Sequence, residues 1–327
     1  MSKRVVFIAT GGTLACIGKN PDDLLDYTET DRKLDGEQII AKIGSIDADI
    51  EVDAIDFRSV DSTEISPGDW FDLATLCQEL AASPKNYDGI VIGHGTASLE
   101  ETAFALSLVL DLEIPVIVTG AMRPSNGMSS DGDRNVASSI RAAASRATRG
   151  LGVVALLNDE IHAAKAVTKA HSLSVSAFQS PGQGPIGQMI GNDVTLNAEI
   201  PAGRTIFNID CLKNWPRIDI TYSYAGADGT AIKAYLEAGT AGIIAAGFAP
   251  GMVTPAEMKA LSEAVLQGVT VIIAHRAAAG PATDSAAHDR NGFIPAGLFS
   301  PLKARILLGL SLANGDQPET IRQTFGA

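Results

Sequence analysis

Residues 5–13 read Val5-Val6-Phe7-Ile8-Ala9-Thr10-Gly11-Gly12-Thr13, an apolar run that stops at two glycines and a hydroxyl. A strand without polar alternation has no solvent face, the mark of a parallel sheet covered on both sides. The same signature recurs along the chain. Candidate strands at 50–57, 89–93, 115–120 and 152–158 alternate with candidate helices at 37–45, 67–83, 99–111 and 133–149. That alternation predicts parallel βαβ units. Ser66-Pro67, Thr254-Pro255 and Ser300-Pro301 each set an N-cap hydroxyl before a proline suited to the first helical turn. Ser98, with Glu101 three residues on, predicts a capping box.

From about Gly191 the pattern loosens, and residues 192–218 are punctuated by proline, glycine and polar residues. A second strand–helix series follows at 218–224, 231–238, 241–248, 256–267, 269–274 and 302–313. The chain of 327 residues therefore reads as an α/β protein of two domains. A large N-terminal catalytic domain with a mainly parallel sheet spans 1–195, a connection 196–216, and a smaller C-terminal α/β domain 217–327.

Lys and Arg number 25 against 38 Asp and Glu, a net charge of −13. Such a field repels phosphate backbones, so nucleic acid is not expected as a partner. Cys16, Cys77 and Cys211 show neither a disulfide framework nor a zinc spacing. The apolar run at 5–10 is too short for a signal-peptide core, and no window of about 18 apolar residues suggests a membrane span. A cytoplasmic protein with no membrane association is expected.

In parallel sheets, ligands bind beyond the carboxyl ends of the strands. Three candidate elements lie there. Ala9-Thr10-Gly11-Gly12-Thr13 sets a hydroxyl beside glycine amides, which suits a threonine nucleophile with an oxyanion hole. The alternative is a tight turn whose threonine merely caps it. Gly93-His94-Gly95-Thr96 repeats the arrangement, and its His94 suits a structural role better than a catalytic one. Thr119-Gly120-Ala121-Met122-Arg123-Pro124-Ser125 opens a long small-residue loop that either lines the cleft or simply connects, with Arg123 holding its carbonyls. Val167-Thr168-Lys169 adds a lysine that could serve as a base if desolvated, or sit solvated at the surface. Gly182-Gln183-Gly184-Pro185-Ile186-Gly187 matches a dinucleotide fingerprint in letters only, since it joins no clear strand to a helix. The five histidines lack metal-ligand spacing, so no catalytic metal is expected.

Taken in order, ATGGT at 9–13, Asp61-Ser62, His94-Gly95-Thr96 with Glu100-Glu101-Thr102-Ala103, GAMRP at 120–124 with Ser129-Ser130-Asp131-Gly132, and Val167-Thr168-Lys169 closely resemble the bacterial asparaginase/glutaminase family. The likeness extends to Gly292-Phe293 and Pro301-Leu302-Lys303-Ala304-Arg305. The resemblance implies hydrolysis of a small-molecule side-chain amide to the acid and ammonia through an acyl-enzyme, without cofactor. It also implies self-association as a homotetramer or homodimer, with each site shared between subunits. By position, Thr13 becomes the nucleophile and Tyr27 its base or relay. Thr96 and Lys169 form a second hydroxyl–base pair. Ser62 binds the α-carboxylate, with Gly12, Asp61, Thr63, Gly95, Ala97 and Ala121 completing the substrate-binding set.

The departures are specific. The family carries Asp after the threonine of HGT, where it grips the substrate ammonium and completes a Thr-Lys-Asp cluster; here that residue is Ala97. Thr63 stands where Gln or Ser is common, and a partner-subunit acid aligns near Ser285. An Asn common in the small-domain loop aligns near Pro250. Glu64 or Asp284 could replace the missing carboxylate. Three readings follow: asparagine hydrolysis, an amidase for an analogue without a free α-amino group, or a catalytically impaired ligand-binding relative.

Overall fold

The computed structural model describes residues 2–197 and 205–326. They divide into two compact units, one ending at Ile206 and the other beginning at Phe207. Of the stretch 196–216 read as a connection, residues 198–204 lie outside the described residues. Leu196 ends a strand of the first unit, while Phe207, Cys211 and Leu212 are buried.

The first unit runs β1 (Lys3–Gly11), α1 (Gly36–Ile43), β2 (Ile50–Val60), α2 (Pro67–Ala81), β3 (Gly89–Gly93), α3 (Leu99–Val109), β4 (Val116–Thr119), α4 (Gly132–Ala144) and β5 (Val153–Leu157). Short strands β6 (Glu160–Ala163), β7 (Thr168–Lys169), β8 (Phe178–Gln179), β9 (Gly187–Ile190) and β10 (Asp193–Leu196) follow. Eight of these strands form one sheet in the order β10-β9-β6-β5-β4-β3-β1-β2. The pairs from β2 through β5 are parallel, and β6, β9 and β10 add antiparallel pairs at one side. Strands β3, β4 and β5 are buried along their lengths, as is β1 from Val5 on, whereas β2 at the sheet edge is only partly buried. Val5, Phe7, Val91, Ile117, Val154 and Leu156 lie in a core closed by Val136 and Ile140 of α4.

The strand order reverses beside β1, because β2 lies on one side of it and β3 on the other. At such a switch point the connections leave in opposite directions and open a crevice beyond the strand ends. The segments that leave the carboxyl ends of β1 and β3 carry Thr13 and Thr96.

The second unit has a four-stranded parallel sheet of β11 (Ile218–Tyr222), β12 (Gly242–Gly247), β13 (Thr270–His275) and β14 (Ile294–Pro295). Helices α5 (Thr230–Glu237), α6 (Pro255–Leu266), α7 (Ala286–Asn291), α8 (Pro301–Ala313) and α9 (Pro318–Gly326) accompany it. Its core gathers Ile232, Ile243, Leu261, Val271, Ile273 and Phe293.

The caps that stand before a proline form as read. Ser66 and Thr254 close capping boxes, and Ser300 accepts from the Lys303 amide. The capping box at Ser98 does not form. Ser98 has non-extended backbone angles and makes no side-chain cap bond; its hydroxyl instead donates to the carbonyl of Ser62. The hydroxyl is used to join two loops rather than to start a helix.

Candidate active site

Gly11 and Gly12 both have positive φ, 95° and 77°, which side-chain-bearing residues seldom adopt. At Gly12 the requirement is also spatial. A Cβ there would lie 2.3 Å from the Cα of Gly95 and 2.6 Å from its nitrogen. The two glycine-rich corners are thus in backbone contact, and Gly12 and Gly95 are the residues that permit it. Thr10 strengthens the join by donating from β1 to the carbonyl of Gly93 on β3, 3.1 Å away in the interior. Ser62 packs against the same contact, since a Cβ on Gly95 would meet its Oγ at 2.6 Å. The Ser62 hydroxyl accepts from the Ala97 amide at 3.1 Å.

Each corner presents a threonine already paired. Thr13 Oγ1 lies 2.9 Å from the Tyr27 hydroxyl. Lys169 Nζ donates to Thr96 Oγ1 at 2.8 Å. Thr13, Tyr27 and Lys169 are half-buried, and Thr96 is buried. Gly120 closes the wall beside Thr96, for a Cβ there would come within 3.3 Å of the Thr96 methyl and 2.5 Å of the His94 carbonyl. Ala121 is buried next to it, whereas Asp61 and Thr63 are exposed. The Asp61 carboxylate stands 3.4 Å from the Lys33 ammonium.

Tyr27 reaches Thr13 because the loop between them is braced. The Ile17 amide donates to the Arg32 carbonyl and the Leu34 amide to Ala15, both at 2.8 Å. Thr30 Oγ1 donates to the Ile17 carbonyl at 2.6 Å. Asn126 accepts from the Gly18 amide at 2.7 Å and donates to the Gly18 carbonyl at 2.9 Å. The loop after β4 is braced in turn by Asp131, whose carboxylate accepts from the amides of Met122 and Arg123. Arg123 holds the carbonyls of Met128 and Ser129, as the connecting-loop reading has it.

Burial shapes the proton chemistry. It pushes the Tyr27 phenol above its ordinary value, partly offset by the hydrogen bond to Thr13. It lowers the Lys169 ammonium, with the negative charge of Glu100 acting against the fall. His94 is 1% exposed and pushed down to about 4 by burial. Its Nδ1 lies 2.8 Å from the Gly95 carbonyl, which only accepts, so Nδ1 carries the proton. Its Nε2 then accepts from Thr102 at 3.0 Å, and Thr102 accepts from the Trp70 indole at 3.0 Å. This neutral chain holds Gly95 in place and gives His94 the structural role favoured from sequence.

Trp70, Thr102 and Glu100 carry no sequence signal of their own for the site, whereas Asn126 lies in the loop after β4 that either lines the cleft or connects. Thr102 and Glu100 sat inside quoted motifs, but only their neighbours drew a role. Among the described residues, no group of three or more His, Cys, Asp or Glu is gathered as a metal site.

The profile "Asparaginase, N-terminal" matches residues 4–202, and "Glutaminase/Asparaginase C-terminal domain" matches 217–325. The chain belongs to the asparaginase family. The probable periplasmic L-asparaginase of Haemophilus influenzae is 33% identical over 98% of this chain and 92% of that relative. The glutaminase-asparaginase of Pseudomonas fluorescens biotype A is 35% identical over 98% of this chain and 89% of its own. A crystal structure of a probable cytoplasmic L-asparaginase from Campylobacter jejuni matches with a TM-score of 0.93 at 32% identity, covering 99% of each chain. The asparaginase fold read from sequence is thus shown over both domains.

Proposed function

We propose that the chain is an amidohydrolase that hydrolyses the side-chain amide of L-asparagine or a close analogue through an acyl-enzyme on Thr13. The observation that carries the reading is the pair of hydroxyl contacts, Thr13–Tyr27 and Thr96–Lys169, on two corners joined through Gly12 and Gly95. Threonine hydroxyls ionise far above neutrality and need an adjacent acceptor. Thr13 Oγ1 bonds to the amide carbon, its proton passes through Tyr27, and the amide nitrogen, protonated, leaves as ammonia. Water held by Thr96 and Lys169 then attacks the ester. One of its protons passes to Lys169 and on to the Thr13 oxygen, and the other leaves with the acid, which gives it up to solvent. Ser62, Gly12, Gly95 and Ala121 line the substrate position. Residence in the cytoplasm and self-association as a homodimer or homotetramer belong to the same proposal. Among the described residues, no helix is long and apolar enough to cross a membrane.

Ammonia release from a panel of ω-amides tests the reading, with Thr13→Ala as control. Turnover of L-asparagine by the wild type, lost in Thr13→Ala by about a thousandfold or more, is expected. Equal release by both proteins over the whole panel overturns it.

A second reading rests on position 97. Ala97 is exposed on the turn after Thr96 and brings no charge to it. Ser285, aligned near a partner-subunit acid of the family, is engaged as the N-cap of α7, accepting from the His288 amide. An ammonium left unpaired in a closed site costs several kcal/mol. A substrate lacking a free α-amino group avoids that cost. On this reading an N-acylated or deaminated asparagine is turned over faster than asparagine, and Ala97→Asp reverses the order by tenfold or so. A wild-type preference for unmodified L-asparagine defeats it.

A further inference from the structure

Glu100 is 6% exposed, the second residue of α3, and points at the element that carries Lys169. Its Oε1 accepts from the backbone amide of Lys169 at 3.1 Å. Among the described residues its Oε2 is buried and finds no hydrogen-bond partner. A buried carboxylate with half its acceptor capacity unused is costly unless its charge serves a neighbour. The neighbour available is the Lys169 ammonium, whose Nζ contacts Thr96 four residues before Glu100. Beside it, β7 adds Thr168, its hairpin partner β8 contributes Phe178 and Gln179, and the turn at 96–99 contributes Thr96, Ala97, Ser98 and Leu99, none of which is charged.

We propose that Glu100 is a positioning residue that anchors the Lys169 backbone and supplies the negative charge that sets the pH range in which Lys169 acts as a base. The task would otherwise fall to a carboxylate at position 97, which this chain lacks. The inference rests on the acyl-enzyme reading above. It differs from that reading in assigning the control of Lys169 to a residue that never touches substrate.

Glu100→Gln separates the two roles, because the amide oxygen keeps the backbone anchor while the charge is gone. The acid limb of kcat/KM against pH, measured on the best ω-amide, is expected to move down by about half a unit to one unit, with KM within about threefold. Glu100→Ala loses the anchor as well, and kcat falls a further tenfold or so. A limb that stays within about 0.2 unit of the wild type, or moves upward, overturns the proposal. If Glu100→Gln does not fold, Glu100→Asp carries the test. It keeps the charge and shortens the reach, so kcat falls while the limb stays, and a limb displaced by half a unit or so overturns the proposal. The same shift is readable without turnover from the pH dependence of Lys169 acylation by acetic anhydride, followed by mass spectrometry. Lys169→Met distinguishes the levels. Retained turnover there sinks the acyl-enzyme reading, whereas lost turnover with an unmoved Glu100→Gln limb sinks this inference alone.

Discussion

The two threonine corners are built alike and tuned oppositely. Each is a parallel strand ending in glycine and a hydroxyl, and each hydroxyl touches one titratable partner at under 3 Å. Burial disfavours whichever form of that partner is charged. For Tyr27 the charged form is the phenolate, so its proton is held more tightly. For Lys169 the charged form is the ammonium, so its proton is released more readily. In the proposed mechanism, one physical cause thus suits Tyr27 to pass a proton on and Lys169 to keep one. The division of labour comes from the partner chosen, not from a difference in the corners.

Replacing each partner tests that division, and the two losses differ in size and in shape. Lys169→Met removes the proposed base and is expected to lower kcat by about a thousandfold or more. Tyr27→Phe removes a relay that water can partly replace, and about a hundredfold loss is expected. In the wild type kcat/KM is expected to rise with pH as the Lys169 ammonium deprotonates, from below the range of an ordinary lysine because burial lowers it. Tyr27→Phe should keep that acid limb. A steady-state pH series on both variants measures this, and a Tyr27→Phe profile with no acid limb would break the comparison by giving Tyr27 the role of the base.

The strands that build the corners were readable because full burial leaves an uninterrupted apolar run, as in Gly89–Gly93, whose limits match residue for residue. The antiparallel side of the sheet was not. β9 and β10 are four residues each, with alternating burial that four positions cannot distinguish from a loop. In the site, the glycines beside Thr13 and Thr96 placed both hydroxyls at strand ends, while their roles came from the family resemblance, since a tight turn uses the same residues. The backbone approach of Gly12 to Gly95 was not legible, since it depends on the order of β1 and β3 in the sheet, a long-range fact. The chain Trp70–Thr102–His94 was hidden for the same reason: His94 and Thr102 sit eight residues apart and meet through α3, while Trp70 comes from α2. Ser98 shows the converse error. A local pattern predicted a cap, and a distant carbonyl, that of Ser62, took the hydroxyl instead.

The smallest effect concerns how the Gly95 corner is held. His94 is folded as a neutral ring with Nδ1 committed to the Gly95 carbonyl, and its ionisation is pushed from 6.5 down to about 4. A depressed value means the unfolded chain takes up a proton before the folded one does. Stability from this group is therefore complete above about pH 6.5 and is lost as the pH falls toward 4, by roughly 3 kcal/mol at most. Many carboxylates titrate over the same range, so the wild-type curve alone cannot assign the loss. His94→Gln isolates it: an amide can donate to the Gly95 carbonyl but does not ionise. Urea denaturation at pH 7 and pH 4.5 should show a smaller stability drop in the variant than in the wild type. The Thr13 corner has no histidine in this role, so the acid sensitivity belongs to one corner only. Parallel losses in the two proteins would mean that His94 is protonated in the folded state and that the neutral chain through Thr102 and Trp70 does not hold Gly95.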